Sequence, residues 1–100
     1  PDRKGTGVGG KLIDHCLSYA KDHGYRMIVT DSAEENLSFR RLMHRSGFKE
    51  VDCVKYAANN FISTVYARWI EEECPWSEDV RMARYYSRRK EIIETKENRV

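Results

Sequence analysis

Cysteine and proline are both scarce in this 100-residue chain, at three and two residues. Cys16, Cys53 and Cys74 are an odd count with no C-x-x-C spacing. That excludes a stapled disulfide scaffold and a zinc ribbon, and it leaves three reduced thiols, as expected of a cytoplasmic protein. Long apolar runs are missing too: none approaches the roughly 20 residues of a membrane span, and no signal peptide opens the chain. Charge of one sign is not in excess. A net charge of +2 gives no ground for nucleic-acid binding. The chain starts at Pro1 instead of a methionine, as expected of a fragment of something longer.

What remains is ordinary globular sequence, 40% apolar and 34% charged, enough for one modest domain. Glycine is concentrated. Four of the six glycines fall in KGTGVGGKL (4–12). This stretch fits three anion-binding patterns. Gly5, Gly10 and Lys11 have phosphate-loop spacing, but Leu12 stands where a magnesium-binding hydroxyl is required. Gly5, Gly7 and Gly10 fit the dinucleotide pattern, with Asp31 as the distant acidic residue. Lys4, Gly7 and Gly9 nearly fit the acyl-coenzyme A loop R/Q-x-x-G-x-G/A. All three share one physical idea. Glycines let backbone N–H groups converge on phosphate oxygens at the positive end of a helix. A tight turn alone remains the plain alternative.

Downstream, Val8, Leu12, Ile13, Cys16, Leu17 and Ala20 make a helical stripe that Gly24 ends. YRMIVT (25–30) reads as a strand covered on both faces. Leu37, Phe39, Leu42 and Met43 mark a second helix, with Asn36 as N-cap and Gly47 as its stop. A capping box from Ser32 and Glu35 is the other possible start. FKEVDCVKYA (48–57) and FISTVYARWI (61–70) read as a hairpin turning at Ala58-Asn59-Asn60. Ser77 should cap a last helix running through RMARYYSRRKEIIE, with a frayed tail. Val80, Met82, Ala83, Tyr86 and Ile93 would be its packing face. RYYSRRK (84–90) also mixes aromatic and basic residues in the manner of an RNA surface, but packing is the reading favoured here. An antiparallel hairpin after the second helix argues against a dinucleotide fold, which would continue with parallel units.

DSAEENLSFRRLMHRSGFKEVD (31–52) resembles the GCN5-related N-acetyltransferase (GNAT) family. The family motif there runs N-x-x-A-x-x-L-Y-x-x-x-G-F. Asn36, Leu42, Gly47 and Phe48 match in register, Phe39 replaces the alanine and Met43 the tyrosine. KGTGVGGKLI (4–13) is similar to the family's coenzyme A loop and following helix, and the likeness covers roughly residues 3–70. The resemblance implies an α/β, partial GNAT-like fold: helix–strand–helix, an antiparallel hairpin and a C-terminal helix. Residues 1–74 would be the coenzyme A-binding and C-terminal part of the domain, and 75–100 a helical extension.

It further implies acetyl-CoA as co-substrate and a primary amine as acceptor. Lys4, Gly5, Thr6, Gly7, Val8, Gly9, Gly10 and Lys11 would hold the pyrophosphate, with Asn36 touching the pantetheine or phosphate arm. Arg40, Arg41 and Arg45 would either meet the 3′-phosphate or form a solvated face. Met43 cannot donate the proton that the family's tyrosine gives the leaving thiolate. His44, Cys53 and Tyr56 are the nearby titratable alternatives, and no catalytic residue is assigned. His15 and His23 lack a third ligand for a metal. The isolated piece is expected to be inactive and to dimerise by exchanging strands or helices along YRMIVT. A non-catalytic GNAT-like interaction module is the rival reading, and a dinucleotide-binding domain stands third.

Overall fold

The computed structural model describes residues 8–97. Six elements follow in order: α1 (Val8–Asp22), β1 (Met27–Ala33), α2 (Leu37–Arg45), β2 (Lys49–Val54), β3 (Ser63–Trp69) and α3 (Glu78–Glu97). This is the mixed α/β arrangement expected.

Two glycines set the helix ends. Gly24 and Gly47 have φ of +75° and +84°, the left-handed region that side chains avoid. Each completes a Schellman turn. Tyr25 N–H donates to Ala20 O and Gly24 N–H to Lys21 O. Phe48 N–H donates to Met43 O and Gly47 N–H to His44 O. The second turn folds Phe48 back onto Met43, and both are core residues. At its start α2 is capped by Asn36, whose side chain accepts from Phe39 N–H at 3.1 Å. The Ser32–Glu35 capping box does not form, because Ser32 belongs to β1. Ser77 caps α3, accepting from Val80 N–H at 3.2 Å.

The sheet is antiparallel, in the order β1-β3-β2. β3 therefore enters between the two strands that precede it. The hairpin expected between β2 and β3 exists, but with shorter strands and a longer connection, residues 55–62. Lys55 fastens this connection by donating to the carbonyls of Tyr56 and Asn59. A bulge at Val51 shifts the β2–β3 register between Glu50 and Asp52.

Rows of paired residues share a face. Ile28 with Arg68, and Thr30 with Tyr66 and Glu50, face the helices. There Met43, Phe48 and Tyr66 form the core, and Ile13, Ile28, Phe39 and Leu42 pack around it. The opposite row, Met27 with Trp69 and Val29 with Ala67, has no such cover at β1: Met27 is 43% and Val29 52% exposed. This corrects the expectation of a strand buried on both faces. That pattern belongs to parallel strands between helix layers; here the helices that build the core lie on one face.

The inward face of α3 also differs from the expected one. Arg81 and Tyr85 are buried, while Val80 and Tyr86 are exposed at 58% and 60%. Polar partners explain the choice. Arg81 donates to Glu50 O at 2.7 Å, and Tyr85 OH lies 3.0 Å from Thr64 Oγ1. α3 runs to Glu97, past the expected frayed start at ETKENRV. Trp76 sits at its base, edge-on to Trp69 and under the Arg84 guanidinium.

Candidate functional site

α1 and α2 begin at the same end of the sheet, where β1 finishes. The reversal at Gly24 turns α1 back against β1, and the connection through Asn36 starts α2 directly after Ala33. The two helices meet near the start of α1. A Cβ on Gly9 would lie 3.1 Å from Leu42 Cδ2, tighter than ordinary contact. Gly9 thus lets α1 approach α2. Gly10 is different, because a Cβ there would meet nothing within 4 Å among the described residues. Packing among those residues gives no reason for glycine at position 10, and they leave open space beside the first turn of α1. That turn carries no acidic residue, so its positive end is not offset locally.

Of the expected phosphate-holding residues, Val8, Gly9, Gly10 and Lys11 form the first turn of α1, and Lys11 is exposed. Lys4, Gly5, Thr6 and Gly7 lie outside the described residues. Asn36 caps α2, and its Nδ2 donates to Ser32 Oγ at 3.2 Å. Arg40 turns inward, donating to Glu34 O and Thr64 Oγ1 at 3.4 Å each, whereas Arg41 and Arg45 stay exposed.

The structure sorts the proton-donor candidates by access. Met43 is wholly buried. His44 donates from Nε2 to Glu50 Oε2 at 2.9 Å. Cys53 is buried, and desolvation pushes its thiol up to about 11, which leaves it a neutral core group. Tyr56 is 46% exposed on the β2–β3 connection. The neighbouring Asp31 carboxylate raises its pKa, so the phenol keeps its proton. Asp31 itself lies on β1, two residues before that strand ends. His23 stacks on Tyr19 and donates to its carbonyl.

Sequence reasoning missed a buried polar cluster under α3. Glu50 is 7% exposed. Its carboxylate receives His44 at 2.9 Å, Arg81 at 3.6 Å and Arg40 at 3.8 Å. Burial by itself would raise the Glu50 pKa. Hydrogen bonds from its own backbone and from His44, and the charges of His44 and Arg40, outweigh that and hold it below the ordinary value. No local pattern marks Glu50, because its partners come from two helices, α2 and the distant α3.

Residues 1–48 match the sequence model of the acetyltransferase (GNAT) family. The matched segment contains the glycine-rich stretch, α1, β1 and all of α2. An uncharacterized N-acetyltransferase of Methanocaldococcus jannaschii is 36% identical over 55 residues, covering 55% of this chain and 24% of that protein. The chain thus spans about a quarter of that relative's length. No solved structure matches. Among the described residues, no helix is long and apolar enough to cross a membrane.

Proposed function

We propose that this chain is the coenzyme A-binding portion of a GNAT N-acetyltransferase that moves an acetyl group from acetyl-CoA to a primary amine. The observation that carries the proposal is the open first turn of α1. Gly10 leaves room there, no acidic residue opposes an anion, and Lys11 adds a cation. Backbone N–H groups from Gly5 to Gly10 would hold the pyrophosphate, with Lys4, Thr6 and Lys11 around it. Asn36, at the start of α2, would meet the pantetheine arm. Residues 1–74 would form this part of the domain and 75–100 the helical extension. The setting would be cytoplasmic.

The chemistry asks little of the side chains. An acceptor ammonium loses one proton, and its nitrogen attacks the thioester carbonyl carbon. A C–N bond forms, the C–S bond breaks, and a second proton leaves nitrogen as the thiolate is protonated. Positioning supplies most of the rate. Of the donor candidates, Tyr56 combines exposure with a retained proton, and we assign it the protonation of the thiolate.

The β1 edge away from β3 is unpaired among the described residues, and Met27 and Val29 beside it are exposed. The proposal therefore includes a homodimer of the isolated chain, formed by pairing or exchange at that edge. Light scattering of a strictly monomeric species at high concentration would refute this part.

Calorimetry and turnover with acetyl-CoA on the full-length protein test the enzymatic reading. Neither binding nor turnover would favour a non-catalytic interaction module, the reading supported by Met43 filling the core where relatives place a tyrosine. The dinucleotide reading loses its support, since the described strands pair antiparallel.

A further inference from the structure

The connection from β1 to α2 consists of Glu34, Glu35 and Asn36. Asn36 is the residue proposed to meet the pantetheine arm, so the placement of this short segment bears on the site. Asn36 itself is held locally. Its N–H donates to Ala33 O at 2.9 Å, and its side chain accepts from Phe39 N–H at 3.1 Å. Glu34 is held by other parts of the fold. Its N–H donates to Ile62 O on the β2–β3 connection at 2.9 Å. Its carbonyl accepts from Arg40 Nη2 on α2 at 3.4 Å. Its carboxylate Oε1 accepts from Arg89 Nε on α3 at 2.8 Å. All three polar groups of Glu34 are engaged, each by a different element.

The bond from α3 is the strongest of the three anchors. It joins a guanidinium to a carboxylate at the short distance of a charge-assisted hydrogen bond. Both side chains are partly withdrawn from water, at 22% exposure for Glu34 and 38% for Arg89. Among the described residues no second cation competes for Glu34: the nearby Lys55 donates to the carbonyls of Tyr56 and Asn59 instead. Arg89 also lies 55 residues from Glu34 in the chain, outside the segment 1–48 that matches the family model. An N-cap satisfies the first amides of a helix but does not fix where that end sits on the sheet. A tie from a distant helix does.

We propose that Arg89 is a positioning residue for the cofactor arm. Through Glu34 it fixes the connection that presents Asn36, and the helical extension thereby sets the affinity for acetyl-CoA. The inference rests on the acetyl-transfer reading above. Arg89 acts through its partner and is assigned no contact with the cofactor or the reacting atoms.

Amide hydrogen exchange of the full-length protein without acetyl-CoA reads the positioning directly. In Arg89→Met, exchange at Glu34 N–H and Phe39 N–H should rise about three- to tenfold, while Tyr25 N–H, bonded to Ala20 O at the end of α1, keeps its rate. Arg89→Lys, which keeps the charge without the planar fork, should recover part of the protection. Calorimetry with acetyl-CoA reads the consequence. Arg89→Met should weaken binding about two- to fivefold, and Glu34→Gln should move it the same way. Added to Asn36→Ala, Arg89→Met should cost no further affinity, because the group it positions is gone. A merely structural contact would speed exchange at Tyr25 as well, or weaken binding equally with and without the Asn36 side chain. Either result overturns the role, as does unchanged exchange at Glu34 and Phe39. If the wild type binds acetyl-CoA and Arg89→Met binds it equally well, the Arg89 role alone is lost. If the wild type does not bind, the acetyl-transfer reading fails and the positioning role fails with it.

Discussion

His44 Nε2 lies 2.9 Å from Glu50 Oε2, at the junction of α2 and β2. The same carboxylate faces Arg81 on α3, so one buried acid ties two helices to one strand. Its lowered pKa has a consequence for stability. A carboxyl held below its unfolded value of 4.5 contributes stability that is fully present above that value and lost as pH falls through the lower folded value. Urea unfolding followed from pH 7 to pH 3 should show this loss. Glu50→Gln should flatten that acid limb and cost about 1–3 kcal/mol near neutrality, because Arg81 then loses a buried partner. An acid limb unchanged by the substitution would contradict the assignment.

The glycines in the first turn of α1 should respond in opposite directions. Gly9→Ala pushes a methyl to 3.1 Å from Leu42 Cδ2 and should lower the melting temperature. Gly10→Ala meets nothing among the described residues. It gains helix propensity and should stabilise the chain by about 0.5–1 kcal/mol. If phosphate occupies that open space, Gly10→Ala should nevertheless weaken acetyl-CoA binding in calorimetry. A stabilised Gly10→Ala protein with full affinity would remove the site from that turn.

Met43 invites the substitution Met43→Tyr, which places there the tyrosine of the motif this stretch resembles. The side chain is wholly buried between Phe48 and Tyr66. A larger ring with a hydroxyl overpacks that space, and the expected cost is about 1–3 kcal/mol by denaturant titration. No gain in turnover should accompany it. A more active and equally stable variant would show that position 43 reaches the reacting thioester.

Tyr56→Phe removes the phenol proposed as proton donor while keeping the ring. In the full-length enzyme kcat should fall by roughly 10- to 100-fold, with little change in the KM for acetyl-CoA. Stability should hardly move, since the side chain is 46% exposed. Undiminished kcat would leave protonation to solvent.

Much of this arrangement was legible residue by residue. Gly24 and Gly47 announced helix ends, because only a left-handed residue closes a Schellman turn cheaply. Asn36 and Ser77 announced starts, because their side chains replace missing helical acceptors. Ile13 and Ala20 of the α1 stripe and the Leu42–Met43 pair located the core, whereas Leu12 and Cys16 of that stripe are exposed. Two expectations failed for one shared reason. Val29 looked buried and Tyr86 looked inward, yet both are exposed, and Arg81, outside the expected face of α3, is buried. Hydropathy describes a side chain's preference, while burial also depends on which partner arrives from elsewhere. Glu50 supplied that partner for Arg81, and no element among the described residues supplied one for the outer face of Val29.

The sequence alone determined where α1 and α2 stop, where α2 and α3 start, and which stretch resembles the coenzyme A loop, because caps, glycine stops and loop motifs act over a few neighbouring residues. Only the tertiary structure decided that β3 enters between β1 and β2, that Met43 is core instead of catalytic surface, and that Arg89 meets Glu34. Those outcomes depend on contacts between residues far apart in the chain, and no local pattern encodes which distant partners will meet.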